Sequence, residues 1–434
     1  MQRRTFVKSL AAAVATAQVL PGVGEALEQQ VERLRDDLGT SVDDGKLWKR
    51  VRHEFTLNPG LVHFNCGSIG ATPRLVIDAI ASFMRQQEAD PYHNEWGGIG
   101  AGLEVVREKA AEFLRASKDE VTLTRNTTEG MNLVASGLKL KRGDEILTTN
   151  HEHGGGMVCW QYLAKHHGVK MRYMEMPNPV KNKADILERI ESHISKRTRV
   201  CSFSHIDTIT GLQMPMADIA QLTRPKDILL VCDGAQAPGM LNVDVKALGV
   251  DAYASSSHKW MLAPKGSGLL YVRKEAQERV QPIMLYSGYG SYSASVGTRN
   301  VPQILGHGVA MDFHNAIGRD RIEARCRQLS RLARARLRDI SALTLLTPDQ
   351  EELSSGVVSF ALDKAKGDRG LIVKRFWDEH NIILKPAQGT YAYVPAEHVK
   401  GPHANYNPIR VSTHIFNSET EVEKMADIMK KMLA

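Results

Sequence analysis

Cysteine is scarce and scattered, with five in 434 residues. Cys66, Cys159, Cys201, Cys232 and Cys326 form no C-x-x-C pair, so no zinc-ligand spacing or disulfide framework is encoded. An odd number cannot all pair, and they read as small buried hydrophobes. Aromatic residues make up only 6% of the chain, and no basic arm carries them interleaved. Lys and Arg total 56 against 49 acidic residues, a net charge of +7 with the two signs intermixed. Nucleic acid is therefore not an expected partner. No apolar run approaches the roughly 18 residues of a membrane span, which excludes a stable membrane anchor of that kind. Internal repeats and low-complexity tracts are missing too. What is present is 42% hydrophobic and 24% charged, in a chain long enough to bury a large core in two or three domains.

The first residues read as an address. Arg3-Arg4-Thr5-Phe6-Val7-Lys8 gives a twin arginine, an apolar residue and a base, followed by a weakly hydrophobic stretch over 9–20 and Pro21-Gly22. That stretch is too short to span a bilayer as a helix. It resembles a twin-arginine export signal over residues 1–26, which implies the twin-arginine translocation machinery as a partner and the periplasm as destination. That route carries folded proteins, and a cofactor loaded before export is one reason to use it.

Beyond an N-terminal segment (27–60), short β-branched runs alternate with helical patterns. Strands are expected at 120–124, 145–149, 169–174, 199–205, 228–232 and 268–273. Continuous apolar strands separated by helices imply an α/β fold with a mostly parallel sheet buried on both faces. Ligands collect at the carboxyl ends of such strands. From about residue 316 the pattern changes to a smaller α+β unit, with a basic helix over 319–339 and strands at 357–362, 382–384 and 409–412. The expected division is a large domain over 61–315 and a small C-terminal domain over 316–434.

The chemistry concentrates in two places. Leu229-Leu230-Val231-Cys232-Asp233-Gly234-Ala235-Gln236 ends a buried strand on an acid that needs a partner to stay ionised, and a protonated pyridine nitrogen is such a partner. Ser255-Ser256-Ser257-His258-Lys259-Trp260 sets a lysine among hydroxyls, suited to a Schiff base with an aldehyde whose phosphate needs donors. Alone, Asp233 is an ordinary turn acid and Lys259 an ordinary surface lysine. Their ordered combination is specific.

Asp-Gly-Ala-Gln followed by Ser-Ser-His-Lys resembles the class V aminotransferase family of fold type I pyridoxal 5'-phosphate (PLP) enzymes, a family that includes cysteine desulfurases and isopenicillin N epimerase-like proteins. The resemblance runs from His63-Phe64-Asn65-Cys66-Gly67-Ser68 to Ile409-Arg410-Val411-Ser412. It implies that Lys259 binds PLP covalently and shuttles a proton, that Asp233 holds the ring nitrogen protonated, and that Gln236 lies by the ring's 3′ oxygen. Thr127 and Thr128, at a strand-to-helix turn, would cup the phosphate with Ser256 and His258. His153 would stack on the ring, and Thr208 would lie near a cofactor oxygen. Thr298 would reach a neighbouring subunit's phosphate, which implies a homodimer. Arg410 would bind the carboxylate of a small amino substrate.

Rival readings of His151-Glu152-His153 are less complete. As metal ligands, with or without Asp207, the histidines lack a well-spaced third partner. His153-Gly154-Gly155-Gly156 is similar to a lipase oxyanion motif, but the G-x-S-x-G elbow that must accompany it is missing. A non-catalytic binding module that kept the fold is a third possibility.

The chain departs from desulfurases in one respect. They carry a reactive cysteine on a loop of the small domain, whereas here no cysteine follows Cys326 and residues 385–391 contain none. A persulfide-forming route would need Cys66 or another distant thiol. Transamination, epimerisation and elimination remain, all acting at the bond held perpendicular to the ring. An export signal on an epimerase-like body also resembles periplasmic PLP enzymes of siderophore (pyoverdine) maturation.

Overall fold

The computed structural model describes residues 29, 31–33, 44–177, 180–362, 367–387, 394 and 408–434. The expected export signal lies outside the described residues, as do residues 388–391 of the loop where desulfurases carry their cysteine. Among the described residues no helix is long and apolar enough to cross a membrane.

A short strand, β1 (Val62–His63), precedes the main sheet. That sheet consists of β2 (Val121–Thr124), β3 (Glu145–Thr149), β4 (Lys170–Met174), β5 (Thr198–Ser204), β6 (Leu229–Asp233), β7 (Ala252–Ser256) and β8 (Gly268–Val272). Their order across the sheet is β2-β8-β7-β6-β5-β3-β4. β8 runs antiparallel to both its neighbours and the other pairings are parallel. The inner strands are buried along their length except for Arg199 near the start of β5, in keeping with their apolar runs, whereas the edge strand β4 is partly exposed.

Strand β7 was not expected from the sequence. Its Ala-Tyr-Ala-Ser-Ser run lacks β-branched residues, and burial between β6 and β8 supplies what local propensity does not. The strand matters because its last residue, Ser256, leads directly to Lys259.

Two helices face the carboxyl ends of the parallel strands. Helix α1 (Thr127–Gly137) is capped by Asn126, whose side chain accepts from Glu129 N at 2.9 Å. Helix α2 (Gly154–His167) opens on three glycines. It is pinned to β5 by Trp160, whose Nε1 donates to Ser202 Oγ at 2.8 Å.

The C-terminal unit starts after α3 (Val301–Ile317) with α4 (Arg319–Arg338). Its sheet joins β9 (Leu343–Leu345), β10 (Val357–Leu362), β12 (Lys385–Pro386) and β13 (Pro408–Ser412) in the order β12-β13-β10-β9, all antiparallel. The intervening β11 (Ile382–Ile383) leaves this sheet and pairs in parallel with β1. Helix α5 (Glu419–Leu433), opened by a capping box of Ser418 and Glu421, packs Val422, Met425 and Met429 with Leu329 and Leu337 of α4. Val62 and Phe64 belong to this same cluster. The chain segment just after β1 is thus stitched to the small unit, and Cys66 N and Ser412 N complete the join at Ser412 O and Phe64 O.

Candidate active site

Asp233 ends β6 and is buried, its Oδ1 accepting from Ala235 N at 2.9 Å. Helix α2 approaches it closely, because a Cβ on Gly156 would lie 2.6 Å from Asp233 Oδ2. Only glycine leaves that room.

Lys259 sits in the tight loop after β7, where Lys259 N donates to Ser256 O at 3.3 Å and Leu262 adopts a left-handed φ of 57°. The lysine side chain is partly buried, and desolvation lowers its pKa to about 8. Asp233 opposes that shift, Arg410 adds to it, and Cys66 opposes it weakly. A lysine held near 8 spends far more time as the free amine than an exposed one, which a nucleophilic amine requires.

The structure brings most of the expected residues to this point. Thr127 N and Thr127 Oγ1 lie 2.9 and 2.8 Å from Ser256 Oγ, so the N-terminus of α1 and the end of β7 form one hydroxyl-lined turn. A Cβ on Gly155 would lie 2.4 Å from Thr128 Oγ1 and 3.2 Å from His153 Nδ1, which places Thr128 and His153 side by side. His153 caps α2, its Nδ1 accepting from Gly155 N at 3.0 Å, with the ring exposed at the mouth. Its pKa is lowered, first by desolvation and then by Lys259. His258 falls to about 4, again through desolvation first and the Lys259 charge second. That histidine is neutral at physiological pH.

Gln236 is more constrained than expected. Its Nε2 donates to Gly67 O at 2.8 Å and its Oε1 accepts from Trp260 Nε1 at 2.7 Å. It ties the 65–70 loop to the lysine loop.

Arg410 is buried on β13, with Nη1 donating to Thr208 Oγ1 and Nη2 donating to Asn65 Oδ1 at 3.1 Å and Ser68 Oγ at 2.9 Å. Thr208, expected beside a cofactor oxygen, therefore supports the arginine. Asn65 and Ser68 were missed as functional residues, although both stand in the His63–Ser68 run that carries the resemblance. Their partner is more than 340 residues away, a separation no local pattern reveals.

Thr298 is not brought to Lys259. It lines a separate cavity of about 500 Å³, whose walls include Arg125, Glu129, Arg299 and His307 but neither Lys259 nor Asp233. The rival metal pair also separates. His151 is buried with Nδ1 2.9 Å from Asp207 Oδ2, whereas His153 faces the mouth.

All five cysteines are free and buried. Cys66 donates to Lys259 O at 3.5 Å, and burial pushes its pKa well above the ordinary thiol range. Such a thiol is protonated and enclosed, the opposite of an activated nucleophile.

These residues fit PLP. The fold offers an amine of lowered pKa, an acid at the end of a neighbouring strand, and a helix N-terminus lined with hydroxyls. Ser257 Oγ and His258 Nδ1, just before the lysine, are enclosed without a hydrogen-bond partner among the described residues.

Comparison with known proteins agrees. The family model described as aminotransferase class V matches residues 68–425. Isopenicillin N epimerase of Streptomyces clavuligerus is 31% identical over 88% of this chain and 97% of its own length. The isopenicillin N epimerase of Amycolatopsis lactamdurans is also 31% identical, over 89% and 98%. Among solved structures, the apo cysteine desulfurase of Thermococcus onnurineus NA1 superposes with a TM-score of 0.76 at 25% identity, covering 89% of this chain and 98% of that one. A C-DES variant with glycine covalently linked to its PLP cofactor has the same fold, with a TM-score of 0.75 at 24% identity over 87% and 98%. The chain therefore has the fold type I architecture, uses PLP as its cofactor, and belongs to the class V aminotransferase family.

Proposed function

We propose that this protein acts on the amino group of an amino acid, free or peptide-linked, by transamination, with epimerisation as the second reading. The observation that carries the proposal is the buried Arg410, held by Thr208, Asn65 and Ser68 and close enough to Lys259 to depress its pKa. A guanidinium fixed in this way is a ready partner for a carboxylate on the carbon that bears the reacting amine.

Bound PLP supplies an electron sink for the charge left when a bond at Cα breaks. The chain's own residues do the rest. Arg410 orients the carboxylate and thereby selects the bond presented to the ring. Lys259 would be the base that takes the Cα proton, and its depressed pKa suits that task at neutral pH. Asp233 would pair with the ring nitrogen of bound PLP, and His153 would lie over its ring.

Persulfide formation from cysteine is disfavoured because every thiol of the chain is buried. Epimerisation is favoured by the 31% identity to two isopenicillin N epimerases. For the setting we propose export to the periplasm, supported by Arg3-Arg4 and the stretch that follows, and a homodimer in which Thr298 serves the partner's site. A siderophore precursor such as that of pyoverdine is the substrate class we propose there, on the joint resemblance of signal and body.

Absorption spectra and product analysis test the proposal. Lys259→Ala should abolish the visible absorption of bound PLP. Arg410→Ala should keep that absorption and lose roughly 100-fold in kcat/KM, the loss expected for a charge-assisted bidentate contact. A keto product marks transamination and inverted Cα chirality marks epimerisation. An unaltered lysine variant, still coloured and active, refutes the assignment.

A further inference from the structure

Behind the site lies an acid that neither the motif nor the proposed chemistry uses. Glu152 immediately precedes His153, the cap of α2, and its side chain turns inward and is buried. Among the described residues both carboxyl oxygens accept hydrogen bonds from hydroxyls, Oε1 from Thr149 Oγ1 at 2.8 Å and Oε2 from Ser204 Oγ at 2.5 Å. Ser204 lies directly opposite Asp233 in the β5–β6 register, so Glu152 sits one strand away from the acid expected to face the cofactor.

The groups around it are of the wrong sign for a carboxylate. The charges of Asp233, one strand over on β6, and of Asp207, in the turn after β5, both act against its ionisation. The neighbouring His151 is engaged by Asp207. Two neighbouring buried anions repel each other and are costly without a cation between them. Asp233 has Lys259 as an electrostatic partner, and Glu152 has hydroxyls.

We propose that Glu152 is a neutral carboxylic acid that sets no second charge beside Asp233 at the ring-nitrogen end of the site, making it a positioning residue for Asp233. Its burial, and then the two aspartates, push its pKa to about 8 against the two hydroxyl bonds, in keeping with this state. As an acid it keeps one proton to donate, and Thr149 and Ser204 can each accept from it or donate to it. The proposal rests on reading Asp233 as the acid that faces PLP, but its test does not need the cofactor.

Infrared difference spectroscopy of the apo-protein, taken from about pH 6 to about pH 10, reads the carbonyl stretch of a protonated carboxyl group directly. The wild type should show that band at neutral pH and lose it with an alkaline midpoint, and Glu152→Gln should lack it from the start. A wild type without the band, or a Gln variant that keeps it, overturns the proposal whatever the enzyme catalyses. A second measurement addresses the link to Asp233. Glu152→Gln, neutral and of the same shape, should bind PLP within about twofold of the wild type, whereas Glu152→Ala should bind it roughly tenfold more weakly by orphaning two buried hydroxyls. Equal losses in the two variants would also overturn it, because shape without charge would then fail to substitute.

Discussion

At the scale of single residues, burial decides what each ionisable group can do. The five thiols show this most simply. Desolvation raises Cys159, Cys201 and Cys326 to about 12, and Cys66 and Cys232 shift the same way. An aromatic disulfide reagent at neutral pH should therefore modify none of them rapidly in the native protein and all five after denaturation. Fast modification of one native thiol, with loss of activity protected by substrate, would revive the desulfurase reading. Lys259 and Asp233 were legible in the sequence because each stands in a short motif at a strand end, and the two motifs come in a fixed order. Glu152 was not, since a glutamate between two histidines before a helix reads as a solvated turn. Only the folded chain shows its carboxyl turned toward Ser204. Asn65 and Ser68 stayed hidden for a related reason, since their importance comes from Arg410 and not from anything near them.

Elements explain why the site needs glycine where it does. The α2 N-terminus can pass over Asp233 because Gly156 has no side chain, and Gly156→Ala would drive a methyl group to within 2.6 Å of Asp233 Oδ2. That variant should fold and weaken PLP binding by about tenfold, equivalent to about 1.4 kcal/mol, as either the helix or the acid shifts. Gly239 is a stricter case. It holds φ of 94°, and a Cβ there would meet the backbone of Trp260 and Met261 at 2.4 Å. Gly239→Ala should lower stability by about 2 kcal/mol or more and disturb the loop that carries Lys259, measurable by urea unfolding. The parallel strands were legible because their apolar runs are continuous and buried on both faces. The small-residue strand β7 was not, nor was the reversal of β8. Neither is set by local propensity, because both follow from which neighbours the chain finds across the sheet. The same holds for β11, whose Ile-Ile pair reads as part of the small sheet but pairs with β1.

Taken as a whole, the molecule carries several neutral histidines in its interior. Desolvation lowers His205 and His414 to about 4 and His307 to about 3. The unfolded chain would take up these protons near pH 6.5 and the native chain only far below it. Their contribution is therefore fully present above about pH 6.5 and is lost as pH falls toward 4, by about 1.4 kcal/mol per pH unit for each histidine. Glu152 acts in the opposite sense, favouring the native state most at low pH and losing that contribution as pH rises toward 8. Three histidines outweigh one acid, so urea midpoints should fall steeply between about pH 6.5 and 4.5. A flat profile would mean that these rings are protonated and solvated in the native state. The histidines also mark the join between the units, since His414 Nε2 donates to the Trp260 carbonyl at 2.7 Å and its ring stacks on Phe416, which stacks in turn on His63. The most direct test of the central claim is borohydride reduction of the purified, PLP-loaded protein, followed by digestion and mass spectrometry of its lysine peptides. The expected result is a phosphopyridoxyl mass on Lys259 alone. The mass on another lysine, such as the nearby Lys265, or on none, would contradict the account.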